Sequence, residues 1–139
     1  MKITRFEDIE AWKAARTLVQ RMRRLSKTSA FVQERDLARQ LLRAGISAMA
    51  NIAEGFDAAT RLEFRRFLRI ARRSLSEVQS HLYVALDFQL LHAPKFQELY
   101  DLAVSAKRLI GGFLRYLDAH RSSPQGDDIP RPRTEHGLP

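Results

Sequence analysis

The chain has no cysteine, which excludes disulfides and thiolate metal sites. Proline is scarce where folded structure is expected: only Pro94 precedes residue 120, and Pro124, Pro130, Pro132 and Pro139 follow it. Long apolar runs are missing too. The longest stretch free of Asp, Glu, Lys and Arg, residues 44–53, has ten residues, half of the roughly 20 that a membrane-spanning helix requires. The opening MKITRFEDIE mixes charged and apolar residues and contains no hydrophobic segment of leader-peptide length, so a cytoplasmic protein is expected. Catalytic signatures are equally scarce, with no Gly-rich phosphate loop, serine elbow or paired-carboxylate constellation. Glu77 and His81 stand one residue too far apart for the Glu-x-x-His pair of a di-iron bundle, and no second such pair accompanies them. No metal, no cofactor and no enzymatic turnover are expected.

What the chain does have is positive charge, unevenly placed. Its 139 residues suit one domain with a sizeable core, and 24 Lys and Arg against 16 Asp and Glu give a formal charge of +8. From Arg121 onward, RSSPQGDDIPRPRTEHGLP holds three arginines and three acids. That neutral, proline-rich composition predicts a disordered tail over residues 121–139. The whole basic excess therefore belongs to residues 1–120, the expected folded domain.

Within those residues apolar positions recur with the period of a helix, and strand-like alternation is almost absent. The first predicted helix covers about residues 6–25, with Ala11, Ala15, Leu18, Met22 and Leu25 as its seam and Thr4 and Glu7 at capping-box spacing. The second covers about residues 34–53 and uses Ala38, Leu41, Gly45, Ala48 and Ile52. Gly55 follows as a left-handed stop, with Phe56 for the apolar contact such caps make. Thr60 and Glu63 form a second capping box and open a third helix reaching about residue 90. Its seam, Phe64, Leu68, Ala71, Leu75, Val78, Leu82 and Ala85, alternates steps of four and three, as shallow-angle helix packing does. Pro94 starts a fourth, which continues through Leu99, Leu102, Ala106, Leu109, Phe113 and Leu117. Four one-striped helices with short connections predict an all-α, up-down-up-down antiparallel four-helix bundle.

One flank of the second helix carries a polar row, Gln40, Arg43, Ser47, Asn51 and Glu54. These residues lie about 80–160° from the Leu41 seam. Glu54 stands at a helix C-terminus, where the macrodipole disfavours an acid by a few tenths of a kcal/mol. The row is either a solvated face or a polar contact between helices or subunits.

Three stretches carry a resemblance: FEDIEAW with Trp12; Gln40, Arg43, Ala44, Ser47 and NIAEG; and EFRRFLRIARRSLSE. Over nearly all of residues 6–90 the chain resembles the small four-helix bundle proteins first met as open reading frames in intervening sequences of bacterial 23S ribosomal RNA genes. Two positions depart from that family. Where it often carries a proline in the second helix this chain has Ala48, Met49 and Ala50, and a family glycine in the third helix is Arg73 here. The resemblance implies a homopentameric ring of bundles, and a more distant relative assists the reverse transcriptase of diversity-generating retroelements. It also favours the contact reading of the polar row. Arg43, Ser47, Asn51, Glu54 and Gly55 then form a structural motif, with Asn51 satisfying backbone groups and Glu54 paired with an arginine of the first or third helix.

Arg61, Arg65, Arg66, Arg69, Arg72 and Arg73 crowd thirteen residues of the third helix, and Arg16, Arg21, Arg23, Arg24 and Arg39 add to them. Such charge suffices for phosphate contact. With no aromatic platform or recognition-helix motif, nucleic-acid binding is expected to be salt-sensitive and weakly specific. The competing reading is an ordinary solvated surface, because nineteen of the 24 basic residues are arginine, a bias that GC-rich coding produces. Phe67, Ile70, Tyr83, Val84 and Phe88 lie off the main seam and form the expected oligomer interface. Gly45 with Ala44 and Ala48, and Gly111 with Gly112, provide for close helix approach. The expected function is a homo-oligomeric basic scaffold or adaptor contacting RNA or DNA; the alternative is a purely structural or protein-partner module.

Overall fold

The structure, a computed structural model, describes residues 3–120. A 3-10 turn, Phe6–Asp8, leads into α1 (Glu10–Ser26), α2 (Ser29–Val32), α3 (Arg35–Phe56), α4 (Arg61–Asp87) and α5 (Ala93–Ala119). Among the described residues there is no strand. The four long helices stand at the corners of a square: α1 packs on α3 and α5, α4 packs on the same two, and no Cα of α1 comes within 8 Å of α4. Each helix runs opposite to its neighbours. Ser47 meets Ser74 while Gly55 meets Phe64 and Phe67, and Gln79 meets Lys107 while Arg65 meets Asp118. The all-α antiparallel bundle read from the periodicity is thus the observed fold. The expected tail, residues 121–139, lies outside the described residues.

The first three predicted seams are buried: Leu18, Ile52, Phe64, Leu68, Leu75 and Leu82 are all 1% exposed or less. The fourth is shifted: Leu99, Ala106 and Leu117 are buried as expected, but Leu102 and Phe113 are only partly buried and Leu109 is 39% exposed. Their places in the core are taken by Phe96, Ala103, Ile110 and Leu114. Each large side chain so buried contributes about 1.5–3 kcal/mol relative to exposure. Small residues set the closest approaches. A Cβ on Gly45 would sit 2.6 Å from Met22 Cε and 2.8 Å from Val19 Cγ2, so α1 and α3 touch where α3 has no side chain.

The helix ends differ from the sequence reading in several places. Thr4 does not cap through Glu7; its backbone N and Oγ1 both donate to Asp8, at 3.1 and 3.0 Å, and α1 begins only after that turn. Residues 29–32 form an extra helical turn that seats Phe31 over one end of the core. Thr60 caps as expected, accepting from the Glu63 amide at 3.1 Å. Pro94 is the second residue of α5 rather than its first.

Gly55 is the main correction, for it is no left-handed stop: α3 runs through it to Phe56, and no glycine of the described residues has positive φ. It is needed for space, because a Cβ there would lie 2.7 Å from Phe64 Cδ2 and 2.8 Å from Phe67 Cβ. The left-handed stop falls instead at Gln89, φ 59°, after α4. There Leu90 N donates to Ala85 O at 2.9 Å and Gln89 N to Leu86 O at 3.0 Å, the paired bonds of a Schellman motif.

Candidate functional site

Six arginines in thirteen residues suggest one cationic surface on α4, and the structure divides them. Arg61 is only 7% exposed and donates through Nη1 to the carbonyl of Leu117, at 3.4 Å. Arg65, with a side chain 20% exposed, places Nε 3.2 Å from Asp118 Oδ1. Both reach the last turn of α5, where unsatisfied carbonyls and the negative end of the helix dipole favour a cation. These two residues hold α4 to α5 rather than face outward. Arg66, Arg69, Arg72 and Arg73 are exposed.

The other basic helix loses less. Residues 11–33 contain no acid at all and six cations. One of the six, Arg21, bonds to Glu98 at 2.6 Å, and Lys95 reaches the same carboxylate at 2.9 Å. The Lys95 hydrogen bond, with the charges of Lys95 and Arg21, holds the Glu98 carboxyl below its ordinary range. The remaining five, Lys13, Arg16, Arg23, Arg24 and Lys27, are exposed along the outward side of α1. Arg16 lies over the Trp12 ring at 5.7 Å, and Glu10, 3.2 Å from Lys13, is the one ion-pair partner of these five among the described residues. The signal for this face was present in the sequence as an absence of acids, which counting arginines overlooks.

The polar row of α3 is only partly a contact. Ser47 and Asn51 are half-buried: Asn51 Nδ2 donates to the Ser47 carbonyl at 2.8 Å and to Ser47 Oγ at 3.2 Å, and Ser47 Oγ meets Ser74 Oγ at 2.9 Å. Ser74, buried on α4, completes a polar bridge between the two helices that the sequence did not reveal. Gln40, Arg43 and Glu54 are exposed, and among the described residues Glu54 has no ion pair, contrary to the expected arginine partner.

The off-seam apolar residues fall on two flanks. Phe67 packs its Cβ toward Gly55 of α3, and Ile70 and Val84 are half-buried on that flank, ending in Phe88, 57% exposed. Tyr83 leans the other way, its ring 4.9 Å from Phe96 and 5.6 Å from Tyr100 of α5. It therefore does not share a surface with Phe67, Ile70, Val84 and Phe88. Gly111 and Gly112 also differ from expectation, since a Cβ on either would meet nothing closer than the guanidinium of Arg115, 3.5–3.7 Å away on the same helix. No helix of the described residues is long and apolar enough to cross a membrane, and no cluster of three or more His, Asp and Glu there could hold a metal ion.

A square antiparallel bundle with basic outer faces and a serine–asparagine bridge defines the class: a small, all-helical four-helix bundle protein. The model of the 23S rRNA-intervening sequence protein family matches residues 7–112, and the chain belongs to that family. Its fold is also that of a protein of unknown function from the S23 ribosomal protein family of Bacteroides thetaiotaomicron VPI-5482, solved as a crystal structure at 1.70 Å. The two superpose with a TM-score of 0.68 at 21% identity, over 76% of this chain and 98% of that one. No curated protein sequence matches the chain significantly.

Proposed function

We propose that the protein is a non-enzymatic, homo-oligomeric scaffold of the cytoplasm, pentameric by its family resemblance, that contacts RNA or DNA through phosphates. The observation that carries this reading is the basic outer side of α1, five exposed cations on a stretch of 23 residues without an acid, joined by Arg66, Arg69, Arg72 and Arg73 on α4. Charge so placed attracts a polyanion and releases its counterions on binding, with little sequence discrimination. The half-exposed apolar flank from Phe67 to Phe88 supports self-association, and equally supports the second reading, a module that meets only protein partners.

Fluorescence anisotropy of unrelated labelled RNA and DNA, repeated from 50 to 200 mM salt, tests the first reading. About four phosphate contacts predict a loss of roughly a hundredfold in affinity across that range. No binding at 50 mM salt overturns the nucleic-acid reading and leaves the protein-partner module. Light scattering coupled to gel filtration tests the oligomer, and a monomer at micromolar concentration overturns it.

A further inference from the structure

The basic residues do not form one surface. α1 and α4 occupy opposite corners of the square, in contact with the same two helices and with no Cα of one within 8 Å of the other. Neighbouring helices packed about 8–10 Å apart place the two axes about 13 Å apart across the diagonal. The exposed side chains then point in opposite directions, about 25 Å tip to tip, well beyond a Debye length of about 8 Å at physiological salt. Along the bundle the two groups overlap: Ser74, next to Arg73, meets Ser47, two residues from the Gly45 on which Met22 packs, while Phe67, next to Arg66, lies level with Gly55. Between them, on α3, Arg39 is the one arginine with an ion pair among the described residues, to Asp36 at 3.6 Å, and Glu54 and Asp57 place negative charge at the end of α3 that adjoins the start of α4. On α5, Lys95, Lys107, Arg108 and Arg115 are opposed by Glu98, Asp101 and Asp118.

Resting on the nucleic-acid reading above, we infer that each subunit carries two separate phosphate-binding faces, α1 with Arg16, Arg23, Arg24 and Lys27, and α4 with Arg66, Arg69 and Arg73. A single subunit therefore holds two nucleic-acid segments at once and acts as a bridge. One duplex laid along the α1 face runs on the far side of the bundle from the α4 face. The residues named are exposed and, apart from Arg16 over the Trp12 ring and Arg66 over the Phe67 ring, both on their own helices, have no side-chain ion pair or hydrogen bond among the described residues, which separates them from Arg61 and Arg65.

The test uses the full chain and two sets of short duplexes, one RNA and one DNA, each set with donor-labelled and acceptor-labelled members. Two variants are compared with the parent, Arg16→Gln/Arg23→Gln/Arg24→Gln/Lys27→Gln and Arg66→Gln/Arg69→Gln/Arg73→Gln, after circular dichroism and light scattering show the parent's fold and mass. Energy transfer between co-bound duplexes is expected for the parent. In either variant duplexes bound per subunit are expected to fall about twofold at saturation and single-duplex affinity to change less than about fivefold, while transfer persists only through the remaining face repeated around the oligomer. A number of duplexes per subunit that stays at the parent's value in either variant overturns the inference, because the substituted face then holds no duplex. Loss of all binding in one variant overturns it as well, because there is then a single face. Transfer with only RNA or only DNA identifies which nucleic acid is bridged and upholds the inference. A parent that binds neither duplex at 50 mM salt overturns the underlying reading, whereas binding without transfer overturns only the bridge.

Discussion

α1 and α4 look alike as strings of basic residues, yet the bundle treats them differently. Arg61 and Arg65 of α4 are drawn in to the last turn of α5, whereas of the six cations on α1 only Arg21 is tied to a neighbouring helix. The cause is the neighbour, not the run. α4 begins beside the carboxyl end of α5, where Leu117 and Asp118 offer a carbonyl and a carboxylate, while the outward side of α1 faces no other helix. Thus the count of arginines on a helix says how much charge it holds, and only the adjoining helix end says how much remains for a partner.

The difference is largest in stability. Arg61→Met keeps the apolar stem and removes the donor to Leu117, and it is expected to lower the unfolding free energy by about 1.5–3 kcal/mol, the range of a hydrogen bond to a charged group. Arg24→Met, on the exposed side of α1, should stay within about 0.5 kcal/mol of the parent. Urea unfolding followed by circular dichroism, at one protein concentration for both, measures the contrast. Equal effects would break the distinction between a helix whose cations are structural and one whose cations are free.

Glycine sharpens the same comparison between used and unused positions. Gly55→Ala forces a methyl against Phe67 Cβ, an atom that moves only if α4 moves, and overpacking of that kind typically costs about 1–3 kcal/mol. Gly112→Ala meets only the flexible end of Arg115 and lies at negative φ, so the better helix propensity of alanine should add about 0.5–1 kcal/mol. Opposite shifts in thermal midpoint are expected, and a destabilised Gly112→Ala would mean that another surface approaches α5 there.

How far the sequence reached follows from these cases. Periodicity reports which side of a helix is apolar, so the first three seams and the bundle were legible, and so was the Thr60 cap, whose partner is three residues away. On α5, apolar residues on more than one side let Leu102, Leu109 and Phe113 stand in for Ala103, Ile110 and Leu114. Gly55 was misread because a glycine after a helical run fits both a left-handed stop and a close approach, and only the position of Phe64 and Phe67 decides. Gln89 gave no warning, since glutamine is an unusual residue for a left-handed site. The fates of Arg61 and Arg65 depend on residues more than fifty positions away, beyond any local pattern.

Ser74 is a smaller member of the same class, a residue whose role appears only when α3 lies beside α4. Ser74→Ala removes one partner of Ser47 Oγ and leaves the bond from Asn51, so a loss of about 1 kcal/mol is expected. Asn51→Ala should cost less, about 0.5–1 kcal/mol, because its amide bonds within its own helix. A double variant that loses no more than Ser74→Ala alone would show that the three groups act as one unit; simple addition would show two independent bonds.

Glu54 brings the comparison to its weakest case, an acid at the wrong end of a helix with no cation of the described residues paired to it. If the single chain is all that acts on it, Glu54→Gln removes an unfavourable charge from the last turn of α3 and stabilises by a few tenths of a kcal/mol. That is a rise of about 1 °C in thermal midpoint, seen at low ionic strength and erased by about 0.5 M salt. A fall of several degrees, together with a lower mass in light scattering, would instead place the carboxylate against an arginine of a second copy. The sign of one small shift therefore decides whether the row from Gln40 to Glu54 ends in water or at a neighbouring subunit.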